Sequence, residues 1–471
     1  MLKFLLLEVF VAFLLPSALI AAPYEDEVRM LPGLPQKPSF RQYSGYLAAT
    51  KSRRLHYWFV ESVNNPKKDP VAVWLNGGPG CSSLFGLLGE NGPFRVREDG
   101  VTLETNPFSW NNVANVLYIE SPAGVGFSYA SDKNYVTDDD LTSLENYAAM
   151  RDFLRKFPEY QDNELFITGE SYGGIYVPML SVLLMEDPSV NLKGFAVGNG
   201  VSNDEMLGSS IIYFAYYHGL IGTTEWNSLL KQCCGGSENR CNFVRTAQYS
   251  KACEDEVLKV QAVTDGGSFD RYNLYGPCAY GVGSHQYNHD SMINWAFRSL
   301  PGQSKSRDSK WQRPLAEHSC NNNTAVTTYL NLPEVRLALH IPAQVQKWLN
   351  CVSDGEYQEG WYTKIYNDTT PFYKKLFSGG IRGILYNGDV DMACNFLGDE
   401  WFADSLGRPV TEERRMWHYR DEKGLKQVAG FVKTFDILTY LTVRGSGHMV
   451  PTDRPRPALH VITNLVKNTP F

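Results

Sequence analysis

Beyond residue 22 the 471-residue chain has no run of about 18 apolar residues, the length a helix needs to cross a bilayer, so the mature protein is expected to be soluble with no membrane association. Blocks of one charge sign are also missing. The 44 basic and 51 acidic residues are interspersed to a net charge of −7, which leaves no electrostatic footprint for nucleic acid. No cysteine pair has zinc-ribbon spacing beside any of the nine histidines, so no metal is expected, and no cofactor. Disorder is excluded by what is plentiful: 43% of residues are hydrophobic and 13% aromatic, enough for a large single-core enzyme or two domains.

The N-terminus "MLKFLLLEVFVAFLLPSALIAAPYEDE" places a lysine, an apolar run, a Pro16 break and small residues up to Ala22 ahead of an abrupt acidic stretch. This is the layout of a secretory signal peptide, taken as residues 1–21. In an oxidising compartment nine cysteines read as disulfides with one thiol left over. Two sequons, Asn322-Asn323-Thr324 and Asn367-Asp368-Thr369, fit the same route.

Short apolar runs alternate with helical patterns between about residues 70 and 200. "VAVWLN", "VLYIE", "LFITG" and "GFAVGNG" predict buried parallel strands. The stretch from Asp140 to Phe157 predicts a helix with Leu141, Leu144, Tyr147, Ala148, Leu154 and Phe157 on its inner face, stopped by Pro158. From roughly 202 to 320 the rhythm is lost amid cysteines and glycine-rich loops; "IRGILYNGDVD" and "LTYLTVRGSGH" then bring it back. An insertion within an α/β core accounts for that pattern better than two sequential domains.

Three strand tips carry Ser171 in "GESYGG", Asp391 in "YNGDVD" and His448 in "RGSGH". Each has a plain alternative: a serine capping the next helix, a turn aspartate, a structural histidine. Together, in the chain order Ser, Asp, His and at the ends where open sheets bind ligands, they make a nucleophile, an orienting acid and a base. The turn Asn76-Gly77-Gly78-Pro79-Gly80 offers the backbone N–H of Gly78, beside that of Tyr172, to a developing oxyanion.

With "WLNGGPGCSS", "ESPAGVGFSY", "GESYGG", "YNGDVDMACN" and "GSGHMVPTDRP" all present, the chain resembles the serine carboxypeptidases, and among them the animal lysosomal branch. The resemblance implies an α/β-hydrolase fold, a mostly parallel central sheet flanked by helices, with core in residues 22–201 and 321–471 and an inserted cap with disulfides at 202–320. It implies Ser171, Asp391 rather than Asp389, and His448 as catalytic residues, Gly78 and Tyr172 as oxyanion donors, and Asn76, Glu90 and Glu170, with Trp74 nearby, as readers of the substrate's free C-terminal carboxylate.

It further implies the disulfides Cys81–Cys351, Cys233–Cys253, Cys234–Cys241 and Cys278–Cys320. Cys394 is then the free thiol, expected to react with alkylating reagents in the native protein. The implied activity is acid-pH removal of C-terminal, preferentially hydrophobic, residues in the lysosome, with esterase and deamidase side activities. A homodimer and a protective complex with a lysosomal β-galactosidase and sialidase are implied as well, as is processing in the polar stretch 301–314. The alternatives are an acyltransferase on the same scaffold and a non-catalytic stabilising partner of glycosidases.

Overall fold

The computed structural model describes residues 22–238, 241–264, 269–278, 320, 323–352 and 360–471. The expected signal peptide, the glycosylation candidate Asn322 and the stretch 301–314 lie outside the described residues.

Six strands form a continuous parallel block, in the spatial order Asn115–Ile119, Val71–Leu75, Leu165–Ser171, Leu192–Gly200, Arg382–Gly388 and Leu438–Val443. An antiparallel hairpin closes each side: Gln42–Ala48 with Arg53–Val60, and Val410–Arg420 with Lys426–Phe435. The parallel strands are buried on both faces, which is why they read as unbroken apolar runs. Alternate side chains feed separate cores. Val71, Val73, Leu75, Ile167 and Val197 enter one, while Ala72, Trp74, Phe166, Ala196 and Tyr386 enter the other. The first core is covered by helices Asp139–Lys156 and Gly173–Met185, and the second by the C-terminal helix Pro455–Lys467.

The chain runs from Val71–Leu75 out to Asn115–Ile119, then crosses back to Leu165–Ser171 on the other side. Crevices at the carboxyl ends of strands form at such reversals. Leu75 pairs with Gly169, so the turn after the first strand and the serine ending the third emerge side by side.

The helix predicted from Asp140 spans Asp139–Lys156; Leu154 and Phe157 are buried as expected, yet the rest of its buried face differs from the expected one. Leu144 is exposed, and Thr142, Glu145, Asn146, Ala149, Met150 and Phe153 point inward. Glu145 can sit inside because the Arg53 guanidinium donates to it at 2.8 Å. Pairing satisfies a buried charge that the apolar pattern cannot register.

Within 202–320, the helices Asp204–Tyr217, Thr223–Cys234, Phe243–Ala247 and Lys251–Thr264 contribute Leu207, Ile211, Phe214, Trp226, Phe243 and Val257 to the first core. Their buried side chains are thus contiguous with the layer under the sheet. Among the described residues no helix is long and apolar enough to cross a membrane.

Candidate active site

Ser171 ends its strand with φ +61°, a left-handed conformation that turns the chain sharply into helix Gly173–Met185. Space for the turn comes from glycine. A Cβ on Gly174 would meet Val201 N at 2.5 Å, and one on Gly77 would meet Tyr172 N at 2.3 Å and Ser171 Cβ at 2.8 Å. The Asn76–Gly80 backbone therefore lies directly against the serine turn, with Gly77 packed on Tyr172 N and Gly78, at φ +112°, next along it. The Cys81–Cys351 disulfide and the Cys81 N–H donating to Gly77 O hold the far end of that turn.

His448 Nδ1 lies 2.7 Å from Asp391 Oδ2, and both side chains are buried. Asp391 accepts three further N–H groups: Asn199 Nδ2 at 2.8 Å, the Ala393 amide at 2.9 Å and the Cys394 amide at 3.2 Å. Asp389 faces elsewhere, accepting the Gly445 amide at 2.6 Å. Asn199, with φ +42°, went unnoticed in the sequence; its side chain ties Asp391 to Gly388 N. An asparagine at a strand end carries no pattern by which to single it out.

Asn76 sits between three buried groups. Trp74 Nε1 donates to its Oδ1 at 2.7 Å, and its Nδ2 donates at 2.9 Å to Glu90 Oε1 and equally to Glu170 Oε1. An indole only donates, so the orientation of the amide follows, and both N–H bonds go to the two carboxyls. Burial holds Glu170 well above the usual carboxylate range, helped by the charge of Glu90. Burial raises Glu90 too, with the Asn76 amide pulling the other way. Two carboxyls on one amide cannot both ionise cheaply, so the pair retains a proton beyond the ordinary range. Arg95, also missed, clamps this segment from behind by donating to Glu90 O at 2.8 Å and Pro451 O at 3.3 Å.

The described cysteines pair as Cys81–Cys351, Cys233–Cys253, Cys234–Cys241 and Cys278–Cys320, leaving Cys394 alone. Cys394 is 1% exposed, and burial, then the charges of Asp391 and Asp399, pushes its thiol well above the usual value. The ready alkylation expected from its place in the sequence is therefore opposed on two counts, access and thiolate content. Asn367 is partly buried beside the helix Thr370–Ser378. No metal-holding cluster of His, Cys, Asp or Glu occurs among the described residues.

Residues 32–468 match the model of the serine carboxypeptidase family. The chain belongs to that family. It is 50% identical to the lysosomal protective protein of Mus musculus over 96% of this chain and 95% of that one. A serine carboxypeptidase of Caenorhabditis elegans is 39% identical, over 97% and 96% respectively. Among solved structures, a prohormone-processing carboxypeptidase from Saccharomyces cerevisiae superimposes with a TM-score of 0.72 at 23% identity, covering 95% of this chain and 96% of that one, which supports the α/β-hydrolase fold. The protein is a serine-type carboxypeptidase.

Buried acids around this centre make stability pH-dependent. Besides the glutamate pair, Asp399 is pushed up to about 6 by burial, as is Asp270, and burial also raises Asp389 and Asp453. A carboxyl whose folded pKa exceeds its unfolded value binds its proton more tightly in the native state. Its stabilisation is complete below the unfolded pKa, near 4, and is lost as pH rises through about 6. For Asp399 alone the difference amounts to about 3 kcal/mol. The urea midpoint is expected to be higher at pH 4.5 than at pH 7.5, and Asp399→Asn should flatten that dependence. A midpoint that rises with pH would contradict the assignment.

Proposed function

We propose that this carboxypeptidase acts at acid pH on peptides with a free C-terminus, with Ser171 as nucleophile, His448 as base and Asp391 as the group that orients it. Ser171 Oγ attacks the last peptide carbonyl while His448 takes its proton. The tetrahedral oxyanion is held by the backbone N–H groups of Gly78 and Tyr172. His448 then protonates the leaving amino acid, and water hydrolyses the acyl-enzyme by the same path reversed.

The observation that carries this reading is the Asn76 amide donating to Glu90 and Glu170, the latter next in sequence to Ser171. A carboxyl that keeps its proton donates a hydrogen bond to a substrate carboxylate, whereas an ionised one repels it. Binding of a peptide acid thus favours acid pH, in keeping with a lysosomal setting; a preference for hydrophobic C-terminal residues and esterase and deamidase side activities form part of the proposal without resting on this pair. Glycans at Asn322 and Asn367, the first being the main candidate for lysosomal delivery, a homodimer, and a protective complex with lysosomal β-galactosidase and sialidase belong to the same proposal. Their support is the 50% identity to the lysosomal protective protein.

The test compares two peptides at pH 5 that differ only in ending as free acid or amide, with products read by mass. The free acid should lose single residues stepwise from its end, and the amide should be cut far more slowly. Equal rates, or internal cleavage, would remove the carboxylate-reading role.

A further inference from the structure

One short segment touches both loops of the proposed acid–base pair. Arg271 O accepts the amides of Met392 at 2.9 Å and Ala393 at 3.2 Å, and the Leu274 amide donates to Val390 O at 3.0 Å, so both neighbours of Asp391 are bonded to it. The next carbonyl, Tyr272 O, accepts the His448 amide at 2.7 Å, and the Tyr272 ring lies 4.7 Å from the His448 imidazole, centroid to centroid. Asn273 Nδ2 donates at 3.1 Å to Asp453 Oδ2, which also accepts the Gly447 amide at 2.7 Å. The fit is close: a Cβ on Gly447 would meet Tyr272 O at 2.2 Å.

The segment also has its own internal order. Tyr272 N donates to Asp270 Oδ1 at 2.9 Å, and Gly276 N donates to Asn273 O at 2.7 Å. Two residues further on, Cys278 is bonded to Cys320. By connectivity alone, a chain break anywhere in 279–319 would leave the C-terminal end of this segment joined to the rest of the molecule through that disulfide.

We propose that residues 269–276 are a strap that positions His448 against Asp391, and that the Cys278–Cys320 disulfide keeps the strap seated. The proposal rests on the reading of His448 as base and Asp391 as its orienting acid. A histidine displaced by a fraction of an ångström loses proton-transfer geometry while the carboxylate-reading groups, on other elements, stay in place. The signature is therefore a fall in kcat per active site with KM unchanged, whereas general destabilisation lowers the number of active sites and leaves turnover per site as it was.

The test uses the full-length enzyme as Asn273→Ala and as Cys278→Ser with Cys320→Ser. Active sites are counted by labelling to completion with a fluorophosphonate, and kcat per labelled site, KM for a peptide acid and Tm are measured. Both variants should show kcat per site at least tenfold lower with KM within twofold. Should the double variant fail to fold, Asn273→Ala, which removes one side-chain bond, carries the test. Turnover per labelled site within twofold of the parent, with loss only in the number of sites or in Tm, would overturn the strap. His448→Gln is assayed in parallel. If it retains turnover, the assignment of the base has failed; if it is inactive while the strap variants match the parent, only the strap has.

Discussion

Ser171→Ala is expected to lower turnover by about 10⁶-fold while Tm stays within a few degrees of the parent. Alanine removes only Oγ, and the smaller side chain fits a position whose surroundings are set by backbone, with the Gly77 turn on one side and the strand on the other. The φ of +61° is carried equally by either residue, so the strain of the turn cancels in the comparison. A fluorophosphonate should label the parent at one site per chain and leave the variant unlabelled. Equal labelling of both would place the nucleophile elsewhere.

Asp391→Asn is expected to cost about 10⁴ in kcat. Both carboxylate oxygens already accept N–H groups, Oδ1 from Ala393 and Oδ2 from Asn199, Cys394 and His448. An asparagine that places its NH₂ at the Oδ2 position loses the His448 bond or reverses the imidazole tautomer. One that places it at the Oδ1 position opposes the Ala393 amide and leaves His448 a neutral acceptor, which stabilises the imidazolium less. Asp389→Asn meets neither problem, since Asp389 accepts the Gly445 amide and makes no bond to His448. Its loss should stay below tenfold, and steady-state kinetics on the two variants side by side decides between them. A larger loss at 389 would reverse the assignment within "GDVD".

How far the site was legible follows from the physics of each part. Buried parallel strands need apolar side chains on both faces, so Val71–Leu75, Leu165–Ser171 and Leu438–Val443 announced themselves, and glycines marked the turns at their ends. The edge strand Val410–Arg420, "VTEERRMWHYR", did not, because most of it faces solvent and carries charges that discourage further pairing. The inner face of helix Asp139–Lys156 was misread because Glu145 and Asn146 are buried and the first of these is paired with Arg53, a partner 92 residues away. Asn199 and Arg95 act on their neighbours through geometry that only the folded chain creates. The strap bonds largely through its backbone, which no side-chain pattern can reveal.

The carboxylate-reading pair is the central claim, and the pH dependence of KM tests it most directly. For a peptide acid, KM should rise as pH climbs through the raised range of Glu170 and Glu90, because the second ionisation turns a hydrogen-bond donor into a repelling charge. KM for the matching peptide amide should change little. With Glu90 and Glu170 both changed to glutamine, the Asn76 amide keeps its acceptors and the repulsion is gone, so KM for the peptide acid should become flat with pH. Curves for acid and amide that run parallel in the parent from pH 4 to 8, or a double variant that retains the parent's pH dependence, would contradict the account.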